Sequence, residues 1–222
     1  MLVGLISDVH SNAVALQEVL SEFERLGVRV ILSAGDVVGY NPYPEKTVDL
    51  FIRNRIVSIQ GNHDRAVVIG DTSKLNDAAA EAVTWTQSVL SERSLNYLAG
   101  LASSLQVRID DLSIYIAHGS PADPDEYVYE LSEDLLPSGC DLLVLGHTHI
   151  QCAAEFVSGS IVNPGSVGQP RDGDPRAAFA LLDTDTQAVE LDSIEYNVDR
   201  VEEDISLAGL PEIFGLRLVS GR

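Results

Sequence analysis

Five short aliphatic runs in this chain each give way, within a few residues, to a histidine, an aspartate or an asparagine. Leu2-Val3-Gly4-Leu5-Ile6 runs into Asp8 and His10, Val30-Ile31-Leu32 into Asp36, and Ile56-Val57-Ser58-Ile59 into Asn62 and His63. Ile114-Tyr115-Ile116 leads to His118, and Leu142-Leu143-Val144-Leu145 leads to His147 and His149. Runs of this length bounded by Gly, Asn and Asp predict buried strands, which places the polar residues at strand ends. In layered α/β proteins that edge is where ligands collect. Five strand ends converging on one edge would bring all five motifs together.

The five histidines of the 222-residue chain all fall inside these motifs. Five independent packing roles would have to coincide to explain that placement. Imidazole, carboxylate and carboxamide groups without a cysteine thiolate suit divalent metals such as Mn, Fe, Ni or Zn. The set is large enough for two ions, and paired metals hydrolyse phosphate esters.

The ordered pattern D-x-H, G-D, G-N-H-D, H-G, G-H-T-H, spread over residues 3 to 171, resembles the calcineurin-like metallophosphoesterase superfamily. The resemblance implies an α/β fold, a two-layer β-sandwich flanked by helices with the metal pair at its top. It assigns Asp8, His10 and His149 to one metal, Asn62, His118 and His147 to the other, and Asp36 to a bridge. A carboxylate has two oxygens and can span two ions, whereas an imidazole nitrogen serves one. An extended segment would turn His147 and His149 to the same side, so that each reaches a different ion. His63, next to a ligand and diverging from it in an extended segment, is implied to be catalytic: it stabilises phosphoryl charge or protonates the leaving alkoxide. Asp64 either orients that ring or caps the turn, and Arg65 is expected on the surface. The implied reaction is in-line attack on phosphorus by a hydroxide bridging the two metals, Mn2+ first among them and Fe, Ni or Zn as alternatives.

A second cluster, Asn163-Pro164-Gly165-Ser166 followed by Pro170-Arg171, is turn chemistry in the first place. It also resembles the N-P-G-S and P-R of the small prokaryotic phosphodiesterases, which makes Arg171 the candidate cation for a substrate oxygen. The protein phosphatases of the superfamily carry an arginine in G-D-x-V-D-R-G; here the stretch reads Gly35-Asp36-Val37-Val38-Gly39-Tyr40-Asn41-Pro42, without one. Phosphodiesters are therefore expected ahead of phosphomonoesters or phosphoproteins. Tyr40 and Tyr43 either line the substrate side of this loop or serve as a helix-entry turn. The reading from a different class is a non-catalytic interaction module, since a scaffold protein of the same fold departs at the catalytic histidine that this chain keeps as His63.

No run approaches the length of a membrane span, and Met1-Leu2-Val3 enters the first strand directly, so a cytoplasmic protein without membrane contact is expected. Thirty-four acidic against 14 basic residues give a net charge of −20, and only Lys46 and Lys74 are lysine. Such a chain repels polyanions, which argues against a stable nucleic-acid complex and for a small phosphate ester as partner, with a homo-oligomer left open. The acidity suggests adaptation to a salt-rich cytoplasm, where self-repulsion is screened; an ordinary acidic enzyme is the simpler alternative. Cys140 and Cys152 have no metal spacing and are expected as free thiols in or beside strands.

Helices are predicted from Asn12 to Leu26, ended by Gly27, and from Pro44 to Arg53. Residues 75–105 read as a two-helix elaboration capped by Asn76 or Asp77 and by Ser91, placed either over the site or against the sheet. A hairpin of Ala177–Leu182 and Ala188–Ile194 and a last helix over Val198–Leu207 complete a single domain spanning 1–222.

Overall fold

In the computed structural model, which describes residues 1–222, two five-stranded mixed sheets lie face to face. The first contains β1 (Leu2–Ile6), β2 (Val30–Ser33), β3 (Val57–Ser58), β9 (Ala177–Asp183) and β10 (Val189–Ile194), in the order β10-β9-β1-β2-β3. The second contains β4 (Ser104–Ile109), β5 (Leu112–Ala117), β6 (Leu142–Val144), β7 (Gln151–Glu155) and β8 (Ser160–Pro164), in the order β4-β5-β6-β8-β7. Strands β1, β2 and β3 run parallel, as do β5, β6 and β8. Parallel pairing places the ends of neighbouring strands on the same edge, so the motifs that follow β1, β2 and β3 share one rim, and those after β5 and β6 share the facing one.

Between the sheets lies an aliphatic layer to which both contribute: Val3, Leu5, Leu32 and Leu182 from one, Ile114, Ile116, Val144 and Val162 from the other. Strands with an inner and an outer apolar face read as near-continuous hydrophobic runs, and this is why the runs were visible in the sequence. Helices cover the outer face of the first sheet. They are α1 (Ala13–Leu26), α2 (Pro44–Arg53), α3 (Asn62–Ile69), α4 (Asp77–Val89) and α5 (Glu92–Ala99), and their core includes Leu16, Phe23, Phe51 and Val67. Two further helices, α6 (Val198–Leu207) and α7 (Ile213–Ser220), pack with α4 around Phe214, Val201 and Ala82.

Helix starts follow side-chain chemistry. Asn12, Asn76 and Ser91 each accept a backbone N–H of the first turn, and Gly27 ends α1 in the left-handed conformation. The two-helix elaboration is present, but it ends at Ala99 and gives way to β4 at Ser104, a strand missing from the sequence reading. Ser104-Leu105-Gln106-Val107-Arg108-Ile109 does alternate, but it stands on the sheet's edge and buries little, so its apolar signal is weak. Nor does the chain end with α6, because α7 follows. No helix is long and apolar enough to cross a membrane.

Candidate active site

The rims of the two sheets meet, and all seven expected ligands and His63 gather there. Asp8, His10 and His149 bring ligand atoms within 4.8 Å of one another, and so do Asp36, His118 and His147. Asn62 joins the latter group, with its Oδ1 3.0 Å from His118 Nε2. Asp36 lies between the groups: its Oδ2 is 3.5 Å from His10 Nε2 and 3.3 Å from His118 Nε2. Each group draws from both sheets. Asp8, His10, Asp36 and Asn62 follow strands of the first, whereas His118, His147 and His149 follow strands of the second.

The local backbone differs from the extended segments expected. Asp8, His10, Asp36, His147 and His149 all have positive φ, between 46° and 68°. This is a costly region for residues with a Cβ, and it recurs where surrounding structure over-determines the geometry at working sites. His147 and His149 do reach different groups, but left-handed kinks place them there, not strand alternation. Asn62 and His63 are likewise not extended; they open α3, and helical geometry separates their side chains. Gly61, just before them, leaves room for the Asp36 carboxylate, which a Cβ at that position would overlap.

Hydrogen bonds decide which ring nitrogens remain available. His10 Nδ1 faces Val38 O at 3.3 Å, His149 Nδ1 faces Gln169 O at 2.6 Å, and His118 Nδ1 faces Ala34 O at 2.8 Å. A carbonyl accepts only, so each Nδ1 carries a proton and each ring turns its Nε2 inward, where that nitrogen is the atom a metal would take in place of a proton. The Nε2 atoms of His10 and His149 then face each other at 3.1 Å, beside Asp8 Oδ1 at 3.7 and 3.3 Å. His118 Nε2 faces the Asn62 and Asp36 oxygens in the same manner. Acceptor atoms converging this closely need a proton or a metal ion among them. Asp8 Oδ1 and His147 Nε2 are also buried without any hydrogen-bond partner, so the donor set fits divalent metal in both groups.

The electrostatics agree. Burial opposes charge on His118, yet the adjacent Asp36 carboxylate prevails and pushes its pKa up to about 10. Burial likewise works against the Asp8 and Asp36 carboxylates, but the surrounding imidazoles hold both well below the usual range. The pocket thus favours positive charge at its centre. Burial pushes His63 down to about 3 and His149 to about 4.

Asp64 caps α3 and leaves the His63 ring alone. Its carboxylate accepts N–H groups from Val37 (3.2 Å), Val38 (3.0 Å) and Gly61 (3.0 Å). The His63 ring packs against Tyr40, with centroids 4.5 Å apart, and its Nδ1 has no partner. Arg65 is not free on the surface: it pairs with Asp125 and helps to line a cavity of about 470 Å3 next to Asn62, His63 and His147. Tyr40 lines this cavity too, but Tyr43 turns away to hydrogen-bond Asp204. Arg171 reaches the site's margin, 3.4 Å from the Tyr40 hydroxyl and 3.2 Å from Gln169 Oε1.

Several working residues escaped the sequence reading. Asn163 and Pro164 close β8, so the turn begins only at Gly165. The Asn163 amide donates to Gly146 O (2.7 Å) and Thr148 Oγ1 (3.0 Å), which secures the His147–His149 loop. Ser166 Oγ donates to Asp8 O at 2.6 Å. The N-P-G-S motif was visible as turn chemistry, but its grip on both ligand loops is a long-range fact. Tyr127, stacked on His147 with centroids 3.8 Å apart, comes from an irregular loop with no motif to mark it. Asn76 and Ala79 at the start of α4 also line the cavity, so the elaboration touches the site while most of it packs on helices.

A sequence model of the calcineurin-like phosphoesterase superfamily domain matches residues 1–187. The chain belongs to the calcineurin-like phosphoesterase superfamily. Within that superfamily it is 32% identical to the uncharacterized protein MJ0912 of Methanocaldococcus jannaschii, over 100% of this chain and 98% of the relative. It is 25% identical to phosphodiesterase YfcE of Escherichia coli K12, over 82% of this chain and 88% of that one. Among solved structures, a metallophosphoesterase from Sphaerobacter thermophilus superposes with a TM-score of 0.85 at 35% identity, covering 100% of this chain and 99% of the other. The two sheets and flanking helices are those of the calcineurin-like phosphoesterases.

Proposed function

We propose that this calcineurin-like phosphoesterase binds two divalent metals, Mn2+ foremost, and hydrolyses phosphodiesters. The observation that carries the reading is the convergence of two groups of inward-facing donor atoms, His10 Nε2 with His149 Nε2 beside Asp8 and His118 Nε2 with Asn62 Oδ1 beside Asp36, a set that fits two divalent ions. Asp8, His10 and His149 would hold one ion, Asn62, His118 and His147 the other, and Asp36 both. When bound, such a pair supplies Lewis-acid polarisation of phosphoryl oxygens and activates water near neutral pH.

The chain's own residues do the rest. Backbone carbonyls lock the imidazole tautomers, and the His147 N–H holds Asp8 Oδ2 at 3.0 Å, so the donor atoms need not reorganise. His63, neutral because it is buried, offers a hydrogen bond from Nε2 to a phosphoryl oxygen, its Nδ1 having no acceptor to hold a proton. Arg171 offers a guanidinium at the margin for another phosphate oxygen. The cavity walled by Tyr127, Arg65 and Leu75 has room for an ester arm of the substrate. The phosphodiesterase name of the Escherichia coli relative supports the preference for diesters.

Elemental analysis with turnover of bis(p-nitrophenyl) phosphate and p-nitrophenyl phosphate tests this reading. Two metals per chain and faster Mn2+-dependent turnover of the diester are expected. A folded protein that binds no metal, or one that prefers the monoester, would overturn it.

A further inference from the structure

Tyr40 is a bulky residue held at φ +49°, where aromatic side chains persist only if their surroundings fix them. Its ring centroid lies 4.5 Å from those of both His10 and His63, and 5.0 Å from that of Phe214. Its hydroxyl meets Arg171, whose guanidinium carbon is 5.9 Å from the ring centroid. Tyr40 thus touches a proposed ligand, the proposed catalytic histidine and the proposed substrate cation at once. Phe214 stands behind it, wholly buried among Val201, Ile205 and Leu218. The far end of the same helix secures the other flank, because the Gly173 N–H donates to Gly221 O at 2.9 Å, two residues beyond Arg171. Both anchor points lie outside residues 1–187, the part matched to the superfamily.

We propose that α7 is a positioning element of the active site. Phe214 seats the Tyr40 ring, and Tyr40 in turn sets the angle of the His63 imidazole and the place of the Arg171 guanidinium. Without Phe214 the strained Tyr40 backbone relaxes and the ring shifts, carrying its aromatic neighbours with it. Small displacements of groups that act on a transferring phosphoryl are expensive in rate. The kinetic part of this inference rests on the function proposed above; the structural part does not.

The test uses Phe214→Ala in the full chain. With only five histidines, the imidazole protons of the metal-free protein are readily assigned by NMR. In Phe214→Ala the His10 and His63 signals should move while those of His118 and His147 stay. In the metal-loaded protein kcat should fall roughly tenfold at unchanged metal content. Wild-type His63 signals in folded Phe214→Ala, or a turnover loss that merely follows lost metal, would overturn the proposal. If Phe214→Ala does not fold, Phe214→Leu keeps an apolar filler without the ring, and the same two outcomes decide. A wild-type protein without metal-dependent turnover would defeat the proposed function, yet the imidazole shifts would still decide this inference.

Discussion

At the residue scale, the two sides of Asp36 and the place of His63 outside the seven proposed ligands lead to separable losses. Asp36→Ala should lose both ions together with activity, whereas Asn62→Ala should weaken mainly one; elemental analysis showing two tightly held metals in Asp36→Ala would refute the bridge. His63→Ala should retain both metals and lose roughly 100-fold or more in turnover. The deficit should be smaller for a p-nitrophenyl ester than for an alkyl diester if His63 assists the leaving group. Burial holds the His63 pKa near 3 against an ordinary 6.5, so between those values the unfolded chain binds a proton that the folded one refuses. Stability then rises with pH across that window and falls on acidification from 6.5 toward 3. Metal-free His63→Ala should accordingly lose less melting temperature between roughly pH 7 and pH 5 than the metal-free wild type. The residues that gather at the rim were legible in the sequence because metal-binding chemistry restricts candidates to a few residue types. The left-handed conformations of Asp8 and His147, by contrast, carry no signature that distinguishes them from any other Asp or His.

Elements were legible in proportion to how much they bury and how sharply they are capped. Helix α1, with Asn12 before it and Gly27 after it, lies where its pattern puts it, and so does α2. Strand β4 on the edge and α7 after Pro211 were missed. The latter is apolar on nearly every side, with Leu216 and Val219 exposed and Phe214 and Leu218 buried, so it presents no periodic contrast. Helix α5 offers a test of capping alone. The Ser91 hydroxyl accepts the Ser94 N–H at 3.2 Å and donates to Glu45 at 2.8 Å. Ser91→Ala should cost about 1 kcal/mol, a fall of roughly 2–4 °C in Tm, with kcat/KM unchanged. A change in kcat/KM would mean that α5 communicates with the site.

For the whole molecule, the charge of −20 is spread over helices and loops from Glu18 to Asp204, and few acids have a basic partner. Screening should relieve that repulsion, so Tm should rise between roughly 0.1 M and 2 M KCl; a flat or falling curve would return the acidity to that of an ordinary enzyme. A second property of the molecule follows from the origin of the ligands. Each group of donors takes residues from both sheets: His149 faces Asp8 and His10 across the sandwich, and His118 with His147 faces Asp36 and Asn62. Ions seated there would act as a clasp, a removable cross-link between two layers otherwise joined by apolar contact, connecting loops and a few hydrogen bonds at the rim. Such a link ties together points far apart in the chain, such as Asn62 and His118 (56 residues) and His10 and His149 (139 residues), and a pathway that parts the layers must release it. At a free concentration a thousandfold above its Kd, each ion adds about 4 kcal/mol to the folded state. Chelation should therefore accelerate unfolding as well as stop turnover, and proteolysis after chelation should open the rim loops first.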